Sequence, residues 1–107
     1  MMLLTKEIEK KIPKLYSTES IATNDKICVA KFFTPDSNWT WFVVEGERQE
    51  NGDWLFFGFV NGFEPEWGYF NLRELESARG PLGLKIERDK YFIPKKFSEL
   101  EEHERGI

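Results

Sequence analysis

Two Asn-Gly pairs, Asn51-Gly52 and Asn61-Gly62, bracket the run WLFFGFV at residues 54–60, and this arrangement leaves the chain few folds to choose from. Asn-Gly is the strongest short-range hairpin signal, because both residues tolerate the positive φ that a tight type I′ turn demands. Aromatic and β-branched residues fit the pleated, half-buried surface of a sheet. A strand with a hairpin turn at each end reads as the centre of an antiparallel meander. Its neighbours follow the same logic: WTWFVVE at 39–45 upstream and WGYF at 67–70 downstream. A further strand, ICVAKFF at 27–33, is apolar at both parities except at Lys31, which suits a strand covered on both faces. TPDSN at 34–38 supplies the tight connection between these two.

Thirteen of the seventeen aromatic rings lie between Phe32 and Phe70. Each large ring can bury roughly 150–250 Å², so even 107 residues can enclose a substantial core. A hydrophobic share of 40% beside a charged share of 32% is that of a globular chain rather than a disordered one.

Helices flank the sheet. Thr5 is an N-cap, and Ile8, Ile12 and Leu15 follow at i, i+4 and i+7, but Pro13 ends the helix near Ile12 and turns follow through residue 25. Asn71 with Glu74 three residues on resembles a capping box. Leu72, Leu75 and Ala78 give that second helix an inward face over residues 72–79, and Gly80-Pro81 stops it. Residues 84–87 read as a short final strand and 98–105 as a terminal helical turn or frayed tail. The expected class is α+β: one domain over 1–107, an antiparallel aromatic-rich meander of four to five strands packed with two short helices.

Several activities lose their ground here. A single cysteine, Cys28, excludes an internal disulfide and a cysteine-rich zinc site, and its apolar strand favours a buried thiol over a reactive one. The opening MMLLTKEIEKK has too short an apolar run for a signal peptide or a membrane span, so the expected location is cytoplasmic, with no membrane partner. No Walker motif, dinucleotide fingerprint or zinc-ligand spacing occurs, so no cofactor is expected. The only histidine, His103, sits among Glu101, Glu102 and Glu104, a poor setting for a preorganised Ser/His or Cys/His pair. A net charge of −4 argues against non-specific polyanion binding.

The blocks KKIPKLYSTE, AKFFTPDSNWTWFVVEGE, WLFFGFVNGFEPEWGYFNLRELES and RGPLGLKIERDKYFIPKKFSEL together resemble the bacterial proteins grouped as domain-of-unknown-function family 2958. The resemblance spans about residues 4–100. It implies a small stand-alone protein of the kind carried on plasmids, integrative elements and phages, and it transfers no activity and no catalytic residues.

Two stretches are candidate sites. The first is the turn bearing Asn61, Glu64, Glu66, Trp67 and Tyr69. Two carboxylates held apart by Pro65 could act as acid and base or bind a cation; the simpler reading is a rigid turn with solvated acids, whose rings close the core. The second is Lys85, Arg88, Asp89 and Lys90, a candidate interaction patch. Residues 51–77 carry a net −4 and residues 78–97 a net +4, an asymmetry that either pairs internally around Arg88 and Asp89 or mates with a partner. The leading expectation is a non-enzymatic module that binds another protein, an accessory factor of a mobile element and an inhibitor of a host defence system. The alternatives are a small carboxylate-based or cation-dependent hydrolase at Glu64/Glu66, and a single-stranded nucleic-acid binder stacking bases on exposed rings.

Overall fold

The computed structural model describes residues 1–107 and shows an α+β architecture built on antiparallel strands. The strands are β1 Ile27–Cys28, β2 Ala30–Phe33, β3 Thr40–Arg48, β4 Trp54–Asn61, β5 Pro65–Asn71, β6 Glu87–Arg88 and β7 Lys95–Lys96. Five of them form one sheet in the order β5-β4-β3-β2-β6, while β1 and β7 pair separately. The helices are α1 Lys6–Lys11 and α2 Leu72–Ser77. The expected meander is therefore present, with β4 between β3 and β5.

Alternation along the strands divides the rings between two faces. Phe32, Val43, Phe56 and Phe70 pack on one, closed by Leu3, Leu4, Leu75 and Ile86. Phe42, Val44, Phe59 and Cys28 pack on the other, closed by Phe97 and Leu100. Phe32, Phe42 and Phe56 are completely buried, each contributing about 1.5–3 kcal/mol. Double coverage explains why the strands are apolar at both parities.

Departures from the expected elements have local causes. The single strand expected over 27–33 is two, because β3 bulges between Val43 and Glu45. The β2–β3 ladder stops at Ala30 opposite Val43, and the chain before it pairs with Lys95 and Lys96 instead. Strand β3 continues to Arg48, opposite Trp54, because the Gly52 turn (φ +87°) closes only after residue 48. The strand expected at 84–87 lies later, at Glu87–Arg88, where it pairs with Phe32 and Phe33. The terminal segment forms two 3₁₀ turns, Phe97–Glu99 and Glu102–Arg105. It is fastened by the buried Phe97 and Leu100 and by a 2.7 Å ion pair between Lys31 and Glu104.

Thr5 caps α1 as expected, accepting from the Ile8 N–H at 3.3 Å. Helix α2 ends at Ser77, two residues short of the expected 79, and its start is not the expected capping box. Asn71 stands at the cap position, but its side chain donates to Asp53 Oδ2 at 2.7 Å. Asp53, brought alongside by the β3–β4 hairpin, supplies the capping oxygen: Oδ1 accepts from the Arg73 N–H at 3.0 Å and the Trp54 N–H at 2.8 Å. The acceptor at a helix start can come from anywhere in the fold that reaches the free N–H groups.

Candidate functional site

The β4–β5 connection is tighter than expected. Residues 62–64 make the turn, and Pro65 and Glu66 already belong to β5. Gly62 is there for closeness: a Cβ would fall 2.2 Å from Cζ3 of Trp39, whose ring lies across the turn. Phe63 meets Trp39 edge-on at 5.0 Å between centroids, and Trp39 stacks on Trp41 at 5.7 Å and 27°. Phe63 is 93% exposed. Three rings thus run from the sheet out to solvent. The only sign in the sequence is a phenylalanine placed between Asn-Gly and Glu-Pro, where turns are usually polar.

The other residues of this stretch separate. The side chains of Glu64 and Glu66 are exposed, make no hydrogen bond or ion pair, and line none of the main clefts. Asn61 is a fastener, its Nδ2 donating to the His103 carbonyl at 3.0 Å. Trp67 packs inward on Phe57, Phe59 and Phe97, with centroids 4.9–5.9 Å away. Tyr69 is half exposed beside Phe57 and Tyr16. Its phenol titrates above the usual range, chiefly through lost hydration, with Tyr16, Glu45 and Glu19 adding to the effect.

Tyr16 is the one non-glycine residue with positive φ, +70°, a conformation that costs about 1 kcal/mol or more. What holds it is Glu45, which is buried on β3. Glu45 Oε1 accepts from the Tyr16 N–H at 2.7 Å, and Oε2 accepts from both the N–H and the hydroxyl of Thr18. Lys26, also buried, donates from Nζ to the Thr18 carbonyl at 2.5 Å. The pair pins the connection after α1 to the sheet, and the donors to the Glu45 carboxylate, from Tyr16 and Thr18, all come from that connection, which makes it an anchor rather than a free acid. Glu45 lies just past the bulge at Val44, within a run of buried residues from Phe42 to Gly46 that both covered faces of the sheet account for. The Cys28 thiol is inert for the opposite reason: burial first, then the Glu104 charge, pushes it up to about 12.

The second candidate stretch lies elsewhere. Neither Arg88 nor Asp89 takes part in an ion pair, so the internal charge network, one of the two expectations for this stretch, is not formed around them. Arg88 Nη1 donates to the Met2 and Leu3 carbonyls at 2.5 and 3.3 Å, whereas Asp89 Oδ1 accepts from the Tyr91 N–H at 2.9 Å. Arg88, Asp89 and Lys90 line one wall of a cleft of about 530 Å³ whose other wall is α1, with Lys6, Glu7 and Lys11. Lys85 is not part of it; its backbone bridges to Arg79 across an exposed turn. No three His, Cys, Asp or Glu side chains converge as a metal site. No helix is long and apolar enough to cross a membrane.

No curated protein and no solved structure matches the chain. A family model described as "Protein of unknown function (DUF2958)" matches residues 3–102, nearly the whole chain, and the chain belongs to that family.

Proposed function

We propose that this protein is a non-enzymatic interaction module that engages another protein through the Phe63–Trp39–Trp41 ladder. The observation that carries the reading is Phe63, 93% exposed and yet held against Trp39 by a turn that needs glycine to admit the indole. An exposed aromatic ring held in place loses little conformational freedom on binding, and tryptophan is among the residues that most often dominate interface energies. The carboxylate reading has no comparable support, because Glu64 and Glu66 are exposed and line none of the main clefts.

Single-stranded nucleic acid also stacks on exposed rings. Here Glu64 and Glu66 follow Phe63 directly, and Lys31 is already paired with Glu104, so a phosphate backbone would meet repulsion. The narrower role, an accessory factor of a bacterial mobile element that inhibits a host defence system in the cytoplasm, rests on the genetic setting in which proteins resembling this one are carried.

Phe63→Ala leaves both core clusters intact, so its melting temperature should match the wild type. In affinity capture from a bacterial lysate, the wild type should retain a partner that Phe63→Ala loses. Retention of the same partner by both proteins, or of none by either, would overturn the reading.

A further inference from the structure

We propose that the cleft between α1 and the segment joining β6 to β7 binds a small organic anion bearing phosphate groups, independently of the aromatic ladder. Lys6 and Lys11 reach it from the helix, and Arg88 and Lys90 from the opposite wall. None of these four cations lies within 4.0 Å of a carboxylate. On a chain with a net charge of −4, four unpaired cations around one concavity are a local reversal of sign, and concave walls focus such a field. The two acids of the lining, Glu7 and Asp89, reduce the excess without cancelling it.

Arg88 is the organising residue. Its two bonds to the Met2 and Leu3 carbonyls both use Nη1, so the guanidinium is held in place while Nη2 and Nε have no protein acceptor. A fixed guanidinium with free donors matches the paired oxygens of a phosphate, which a lysine meets only as a point charge. Beside the cations, Ile8, Val29 and Phe92 offer an apolar surface. A volume of about 530 Å³ is large for inorganic phosphate alone and falls within the roughly 300–1,000 Å³ of small-molecule sites. Charge on part of the lining and apolar surface on the rest describe an amphiphilic ligand of about nucleotide size.

Isothermal titration of the full chain with ATP and, separately, with tripolyphosphate tests this. ATP should bind more tightly, because only its base and sugar can use the apolar surface. The double variant Lys6→Gln/Lys11→Gln, and Lys90→Gln from the opposite wall, should each weaken ATP binding by roughly tenfold while melting as the wild type does. Lys10→Gln, exposed on the same helix but outside the lining, should bind ATP as the wild type does. Absence of binding by both probes, equal affinity for the two, or an equal loss in Lys10→Gln would each overturn the proposal.

Discussion

Gly58→Ala is expected to unfold a large fraction of the protein, or to lower its stability by about 3 kcal/mol or more, as read from chemical denaturation. Gly58 is buried in the middle of β4, opposite Val43. A Cβ there would stand 1.8 Å from the Phe42 carbonyl oxygen and 2.9 Å from its carbon. These are backbone atoms of the neighbouring strand, so no rotamer change relieves the overlap, and β3 and β4 must separate. Overpacking in a close-packed interior typically costs about 1–3 kcal/mol, more when backbone must move. The position lies beside the Val44 bulge, so the displacement should extend to Glu45 and the loop it anchors. Gly68, opposite Gly58 on β5, has open space around it, and alanine there should leave stability nearly unchanged. Equal stability of the two alanine variants would refute this account.

Asp53→Ala is the second large effect, about 2–4 kcal/mol of destabilisation, since one buried carboxylate serves three donors. Without it, the Arg73 N–H at the start of α2 and the Asn71 amide lose their acceptors, and the link between the β3–β4 turn and the helix opens. The same carboxylate governs behaviour in acid. Burial alone would raise its pKa, but the Arg73 and Trp54 amides, the Asn71 amide and the Arg73 charge outweigh burial and hold it below the ordinary value. A lowered folded-state pKa stabilises the protein above the unfolded value, about 3.9, and that stability is lost as pH falls through the lower folded value. Glu104 acts with the same sign: burial opposes ionisation, but the Lys31 hydrogen bond and charge prevail. Denaturation midpoints between pH 6 and pH 2 should therefore fall steeply below about pH 4, and more gently in Asp53→Ala. Parallel pH profiles for the two proteins would contradict the assignment.

Much of the sheet was legible because its signals are local. The Asn51-Gly52 turn, the run WLFFGFV and the Thr5 cap each act through neighbours in the chain, and each stands where the sequence places it. The helix start at Asn71 shows where such reading fails. Residue type and spacing identified the position, but the acceptor comes from Asp53, eighteen residues away in sequence. The candidate site was legible in the same uneven way. The stretch 61–69 does hold an unusual surface, yet Phe63 and the distant Trp39 make it, while Glu64 and Glu66 lie open to water. Likewise Arg88 and Lys90 were visible as part of a basic segment, but not that Lys6 and Lys11 face them across a cleft.

By itself, then, the sequence determined the antiparallel α+β class, the strand-bearing segments and the turn at Gly52. Each of these follows from side-chain shape and backbone preference within a few residues. Only the tertiary structure decided which rings are core and which are surface. With both faces of the sheet covered, alternation no longer separates inside from outside. Exposure then depends on where the covering segments end: Leu3, Leu4, Leu75 and Ile86 close one face, Phe97 and Leu100 the other, and neither set covers Phe63.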